Sequence, residues 1–131
     1  MPFAAIRILG APLPEATRAA LARRTTDLLA GLLGKRAEVS AVLVEAVPDG
    51  RWTVGGAAVA AAAHMEVLIT AGTNTAEEKA RFVAAADAML REAVPGLPAA
   101  TYVALREPAA ESWGYGGLTQ AGRRSAAVPP P

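Results

Sequence analysis

Several kinds of chemistry are excluded by what this sequence of 131 residues lacks. It contains no cysteine, so it can form neither a disulfide nor a reactive thiolate. It contains a single histidine, His64, which cannot by itself supply the several ligands of a histidine-based metal site. We therefore expect chemistry that needs neither a metal nor a cofactor.

Charge and hydropathy narrow the class of protein further. The 13 basic residues nearly balance the 12 acidic ones, and the net charge is +1, which predicts no nucleic-acid or acidic-membrane partner. No apolar run approaches a membrane span and no signal peptide is evident, so we expect a cytoplasmic protein. Hydrophobic residues make up 53% of the chain, which predicts apolar surface left for an oligomer interface.

A repeated unit is the chief positive feature of the chain. The segment Trp-Thr-Val-Gly-Gly at residues 52–56 returns as Trp-Gly-Tyr-Gly-Gly at residues 113–117. Apolar positions coincide at the same shift, as when Leu29 aligns with Leu90. We interpret the chain as two copies of a unit of about sixty residues.

Each copy has the pattern strand, helix, strand. In the first copy, residues 3–9 predict a strand with apolar residues on both faces. Leucines at helical spacing follow, with Pro14 suited to the first turn of a helix and Gly34 to its C-terminal cap. Residues 39–44 predict the second strand.

The second copy repeats this plan and has a clearer helix start. Residues 65–70 predict a strand, and Thr75 precedes Glu78 by the spacing of a capping box. The helix ends before Pro95, and residues 101–106 predict the last strand.

We therefore predict an α/β fold of two tandem βαβ units within one compact domain. The units span residues 1–59 and 60–120, and residues 121–131 are expected to form a flexible tail. Right-handed crossovers make the two strands of each unit parallel, which gives a four-stranded sheet with both helices on one face. The other face is predicted to be apolar and buried by neighbouring subunits.

A proline directly after Met1, the duplicated unit and the Trp-x-x-Gly-Gly turns together resemble the tautomerase superfamily. The first half is similar to 4-oxalocrotonate tautomerase, and the length is similar to fused members such as malonate semialdehyde decarboxylase. The resemblance covers residues 2–120. It implies a tautomerase/MIF-like fold, a homotrimer of fused chains, and catalysis by the amine of Pro2 once Met1 is removed.

An N-terminal proline makes chemical sense as a base. Its free nitrogen is a secondary amine, and an exposed α-amino group titrates at about 7.7–8.0. Apolar surroundings disfavour the charged form and lower the pKa. The neutral amine can then move a proton next to a carbonyl, or add to the carbonyl carbon as an iminium. Ala63 is the counterpart of Pro2 in the second copy and has no free amine.

The sequence departs from the family at the arginines that hold substrate carboxylates. Pro12 and Ser40 occupy their positions in the first copy, and Gly72 and Asn74 in the second. These departures count against a dicarboxylate substrate.

The resemblance also implies site residues besides Pro2. Glu38 matches a catalytic aspartate of the decarboxylase, and would act as an acid or orient a water. Trp52 matches the aromatic residue beside the tautomerase proline, and Trp113 a tryptophan of the decarboxylase. Three polar residues are further candidates for substrate binding: Asn74, Arg51 and Arg106. Packing, capping or surface charge is the alternative role for each of these six.

Tautomerase activity is the function that we expect: keto–enol tautomerisation or double-bond migration in a small enolisable carbonyl compound, with Pro2 as general base. Two alternatives stay open. One is a Pro2-dependent hydratase or decarboxylase of a short oxo-acid, which Glu38 and Trp113 favour. The other is an inactive binding or assembly protein on the same scaffold, which the missing arginines favour.

Overall fold

Residues 1–127 of the protein are described by a computed structural model. The first unit consists of β1 (Phe3–Leu9), α1 (Glu15–Leu33), β2 (Ala41–Ala46) and a hairpin of β3 (Thr53–Val54) and β4 (Ala57–Ala58). Gly34 ends α1 in the left-handed region at φ 68°, and its N–H donates to the carbonyl of Ala30. The predicted glycine cap is therefore confirmed. A 3-10 turn, Ala37–Val39, leads from α1 into β2.

The second unit repeats this order with β5 (Ala62–Leu68), α2 (Ala76–Ala93), β6 (Tyr102–Arg106), β7 (Gly114–Tyr115) and β8 (Leu118–Thr119). The predicted capping box begins α2. The Thr75 hydroxyl accepts from the N–H of Glu78, and the Glu78 carboxylate accepts from the N–H of Thr75. Two backbone donors of the first turn are thereby satisfied.

The four long strands form one sheet in the order β2-β1-β5-β6. Strands β1 and β2 are parallel, as are β5 and β6, whereas β1 and β5 are antiparallel with Ile6 opposite Met65. Helices α1 and α2 pack side by side over one face. The predicted α/β fold of two βαβ units is therefore confirmed.

Apolar side chains from both units meet between the sheet and the helices. Fully buried examples come from every layer of this core: Ile6, Leu29, Met65, Phe82 and Leu90. Burial of each such side chain stabilises the fold by about 1.5–3 kcal/mol. The two units therefore pack against each other through one shared hydrophobic core.

The open face of the sheet is less apolar than expected. Phe3, Leu43 and Tyr102 are exposed there, at 39%, 44% and 67%. An ion pair of 2.9 Å between Arg7 and Glu45 lies on the same face. The expectation of an apolar face is therefore wrong at Arg7 and Glu45, which point to this face because every second residue of a strand does so whatever its polarity. Phe3, Leu43 and Tyr102 are apolar as expected.

Helix α3 (Gln120–Ala127) corrects the prediction of a flexible tail from residue 121. The Thr119 hydroxyl accepts from the N–H of Gly122 at 2.9 Å, and the N–H of Gln120 donates to the Trp113 carbonyl at 2.8 Å. These bonds anchor α3 to the β7–β8 hairpin. Residues 128–131 of the expected tail lie outside the described residues. Over residues 1–127, the helices are too short or too polar to cross a membrane.

Candidate active site

The chain begins at the end of the sheet where β1 and β2 start. Pro2 is buried directly before β1, and its carbonyl accepts a 3.2 Å hydrogen bond from the N–H of Ala41. Because β1 and β5 are antiparallel, the strands of the second unit finish at this same end. The β7–β8 hairpin and α3, which follow β6, therefore lie beside the start of the chain.

A cavity of about 220 Å³ adjoins Met1 at this end. Three arginines line it together with Val39, Tyr115 and Gln120: Arg36, Arg123 and Arg124. The Nε2 of Gln120 donates to the Sδ of Met1 at 3.0 Å. Removal of Met1 would enlarge the cavity next to Pro2 and release the Gln120 amide. We call this cavity, with its three arginines, the N-terminal cavity.

The surroundings of the N-terminus favour a neutral amine. Burial lowers the pKa of the Met1 amine, and the Lys35 and Arg36 cations lower it further. Burial lowers the pKa of Lys35 as well, against the opposite effect of the Glu78 and Glu107 carboxylates. Burial and nearby cations therefore both lower the pKa of an amine at the start of the chain.

Arg123 is held in place by Tyr115. Its Nη2 donates to the Tyr115 carbonyl, and its guanidinium carbon lies 3.8 Å from the centroid of the Tyr115 ring. The Nε of Arg123 is buried and has no hydrogen-bond partner within residues 1–127. A buried donor without a partner costs about 1–3 kcal/mol.

Glu38 lies in the 3-10 turn and does not line the cavity. Its Oε1 accepts from the Nε of Arg36 at 3.0 Å, and its side chain is 64% exposed. A hydrogen bond from its own backbone N–H, and then one from Arg36, lower the pKa of Glu38. A carboxyl group held in its ionised form is a poor proton donor, so these contacts favour a role in positioning Arg36.

Trp113 is the predicted aromatic residue that lies at the Pro2 end. Its Nε1 donates to the hydroxyl of Thr70 at 3.1 Å, just after β5. Thr70 is only 5% exposed, so this bond satisfies a buried polar group. Trp113 thereby fixes the β7–β8 hairpin, whose Tyr115 lines the N-terminal cavity.

Trp52 and Arg51 lie at the opposite end of the sheet. Trp52 lines another cavity, of about 340 Å³, together with Ala63 and Tyr102. Within one chain, the structure does not bring Trp52 or Arg51 to Pro2. The reason is the antiparallel arrangement of β1 and β5, which places the hairpin of each unit beside the start of the other unit.

Asn74 and Arg106 have structural partners. The Nδ2 of Asn74 donates to the carbonyl of Leu33 at 2.9 Å, which ties the end of α1 to the start of α2. The Nε of Arg106 lies 3.3 Å from the Oε2 of Glu66 on the open face. Neither residue lines the N-terminal cavity. Their proposed roles in substrate binding remain predictions.

Sequence reasoning missed the three arginines of the N-terminal cavity. Arg123 and Arg124 fall in the segment that was expected to be a tail, and Arg36 stands between a helix and a strand. One signal was available, since an antiparallel packing of the two units would bring residues after the second Gly-Gly turn towards Pro2. No feature of the sequence indicates whether the two units pack parallel or antiparallel to each other.

Comparison with protein families gives a match between residues 2–62 and the family described as Tautomerase enzyme. No curated protein matches the chain in sequence.

Several solved structures share the fold over nearly the whole chain. A fused 4-OT, a wild type symmetric trimer, is 21% identical with a TM-score of 0.82, covering 92% of this chain and 98% of its own. The protein Pt0534, inactivated by 2-oxo-3-pentynoate, is 19% identical with a TM-score of 0.81 and coverage of 96% and 99%. A member of the cis-3-chloroacrylic acid dehalogenase family is 18% identical with a TM-score of 0.78 and coverage of 97% and 92%.

Proposed function

Because residues 2–62 match the family described as Tautomerase enzyme and the whole chain shares the fold of fused 4-OT structures, we propose that the protein is a tautomerase. Its substrate is a small enolisable carbonyl compound. Its base is the secondary amine of Pro2, which becomes the N-terminus when Met1 is removed.

One observation carries this proposal: the start of the chain adjoins a cavity where burial and the cations of Lys35 and Arg36 lower the pKa of the N-terminal amine. Pro2 is buried one residue further along, so the same effects should act on its nitrogen. A neutral amine at physiological pH is what a general base requires.

The reaction conserves protons. The Pro2 nitrogen takes a proton from the carbon next to the carbonyl, or from the enol hydroxyl, and becomes a charged ammonium. The same ammonium then returns the proton at the other position of the conjugated system. Negative charge gathers on the substrate oxygen in between, and we expect the guanidinium groups of Arg36 and Arg124, which line the cavity, to stabilise it.

The charge of the cavity supports an anionic group on the substrate. Three arginines line the cavity, and among residues 1–127 no acidic side chain does so. A guanidinium offers a forked pair of donors that suits a carboxylate. We propose that the guanidinium of Arg123 binds this carboxylate, in place of the arginines missing at the family positions.

A homotrimer is part of the proposal. Fused 4-OT structures with this fold are trimers. The exposed Phe3 and Leu43 on the open face supply apolar surface that a neighbouring subunit would bury.

The hydratase or decarboxylase alternative is less well supported. It relied on Glu38 as an acid, and Glu38 is exposed, contacts Arg36 and has a lowered pKa. The binding-protein alternative relied on the absence of substrate arginines, and the arginines of the N-terminal cavity weaken it.

The test is ketonisation of the enol form of phenylpyruvate, after intact mass has established that Met1 is absent. Replacing Pro2 by alanine should abolish most of the activity, because a primary amine has a different pKa and position. The matched control is Pro12→Ala, in the exposed loop before α1. Ketonisation that survives unchanged in Pro2→Ala, or a mature protein that keeps Met1, contradicts the proposal.

A further inference from the structure

The cavity at the far end of the sheet differs from the N-terminal cavity in size and in charge. It holds about 340 Å³, against about 220 Å³ for the other. It lies where the second unit begins, at Ala63, and the β3–β4 hairpin closes it. A volume of about 300–1,000 Å³ is usual for sites that bind small molecules. We call it the Ala63 cavity.

The wall of the Ala63 cavity is aromatic and apolar. Trp52 and Tyr102 line it together with Val54, Ala63 and Ala100, and among residues 1–127 neither a lysine or arginine nor an acidic residue does so. Tyr102 is 67% exposed, so its ring is accessible to a ligand. Aromatic faces without cations favour a planar, uncharged ligand over an anion.

His64 is the one ionisable imidazole of this wall, and its orientation is fixed. Its Nε2 lies 2.9 Å from the Oε1 of Glu66, while the Oε2 of Glu66 lies 3.3 Å from the Nε of Arg106. The hydrogen bond with His64, and then the Arg106 cation, lower the pKa of Glu66. An ionised Glu66 accepts a hydrogen bond from the Nε2–H of His64, which leaves Nδ1 as the ring nitrogen available to a ligand.

The other charged side chains near His64 are paired with one another. Arg7 lies directly opposite His64 in the antiparallel ladder, and Arg106 lies beyond Glu66. Glu45 is paired with Arg7 at 2.9 Å, further from the ring. Each of the two carboxylates on this face is thus already balanced by an arginine.

We propose that the Ala63 cavity is a second ligand site, for an uncharged aromatic compound that carries a hydroxyl group. The ring stacks against Trp52 and Tyr102, and the hydroxyl donates to the Nδ1 of His64. The site needs no free amine and is independent of Pro2. One chain thus has two sites of different chemistry, one for an anion and one for a neutral ring.

The test uses a pair of probes with the same hydroxyphenyl ring: methyl 4-hydroxybenzoate, an uncharged methyl ester, and 4-hydroxybenzoate, the carboxylate anion. The chain has two tryptophans, so the two indole N–H signals of the ¹⁵N-labelled protein report on the two ends of the sheet. Spectra of Trp52→Phe and Trp113→Phe assign these signals. The ester should shift the Trp52 signal saturably and bind about tenfold more tightly there than the anion, since a carboxylate would lose its hydration without gaining a cation.

His64→Phe keeps the ring shape and removes the acceptor, so it should weaken ester binding by about tenfold, the effect of one lost hydrogen bond to a buried group. Pro2→Ala should leave the Trp52 titration unchanged, which separates this proposal from the proposed activity. The proposal is overturned if the Trp52 signal does not move, if both probes bind equally, or if His64→Phe has no effect. It is also overturned if Trp52→Ala breaks up the oligomer, because a second copy then occupies the cavity.

Discussion

Ala63 lies opposite Ile8, near the far end of β1, although the repeat equates Ala63 with Pro2. The two unit starts are therefore separated by the length of the sheet. The hairpin of the other unit lines the cavity at each start, through Tyr115 at one end and Trp52 at the other. A fused chain can keep amine chemistry at one end and evolve different binding properties at the other.

The first prediction concerns pH. A base acts when neutral, so kcat/KM should rise with pH through the pKa of the Pro2 amine and then level off. Because Arg36 helps to lower the pKa of an amine at this place, Arg36→Gln should raise it and move the rising limb to higher pH. The exposed Arg23→Gln on α1 is the matched control. Superimposable profiles for both variants and the native protein would show that Arg36 does not act on the amine.

The second prediction concerns Arg123 and the substrate carboxylate. Arg123→Gln should lower kcat/KM for enol phenylpyruvate by about tenfold or more, since hydrogen bonds to charged groups contribute about 1.5–3 kcal/mol. The uncharged methyl ester of the same enol should be much less affected. Equal losses on acid and ester would mean that Arg123 supports the hairpin through Tyr115 and does not bind the substrate.

Part of the Arg123 effect should return in Arg123→Lys, which restores the charge but not the fork of donors. Circular dichroism and thermal unfolding of each variant would establish that α3 is still folded. The measurement that decides is the ratio of kcat/KM for acid and ester.

The third prediction concerns the bond between Trp113 and Thr70. Trp113→Phe leaves the Thr70 hydroxyl buried without its donor, so the free energy of unfolding should fall by about 1–3 kcal/mol. Thr70→Val alone should also destabilise, but the double variant should cost less than the sum of the two. A double-mutant cycle in urea measures this coupling, and strictly additive losses would show that the bond contributes nothing.

Local signals in the sequence were enough to predict much of the fold. The Gly34 cap and the capping box of Thr75 and Glu78 depend on neighbouring residues alone, and both form as predicted. Strand β5 was harder, because it begins at Ala62 within an alanine-rich segment of low strand propensity. Its first residues are extended because they pair with the end of β1.

The site was harder to predict, because it depends on how the two units pack. Helix α3 begins at a cap on Thr119 and is held by Arg123 against Tyr115, which are tertiary contacts. Its sequence alone, with glycine and serine among arginines, resembles a tail. The resemblance predicts that Trp52 lies beside Pro2. In the fused chain the hairpin of the second unit lies near the start of the chain, and Trp52 lies near Ala63.

The fourth prediction concerns the start of α2. Thr75→Ala removes the acceptor for the N–H of Glu78 at 3.1 Å and should lower the free energy of unfolding by about 1 kcal/mol, the usual cost of losing an N-cap. The matched control is Glu77→Gln on the same turn. Equilibrium unfolding in urea at one protein concentration measures both, because assembly makes stability depend on concentration.

The same cap makes a pH-dependent contribution to stability. The hydrogen bond from the Thr75 N–H, at 2.8 Å, is the main cause that lowers the pKa of Glu78 in the folded protein. Since the folded pKa is below the unfolded one, this stabilisation is fully present above the unfolded pKa and is lost as pH falls through the folded pKa. Glu78→Gln should therefore destabilise at pH 7 and make little difference at about pH 3. An equal loss at both values would show that shape, and not the charge of Glu78, supports the cap.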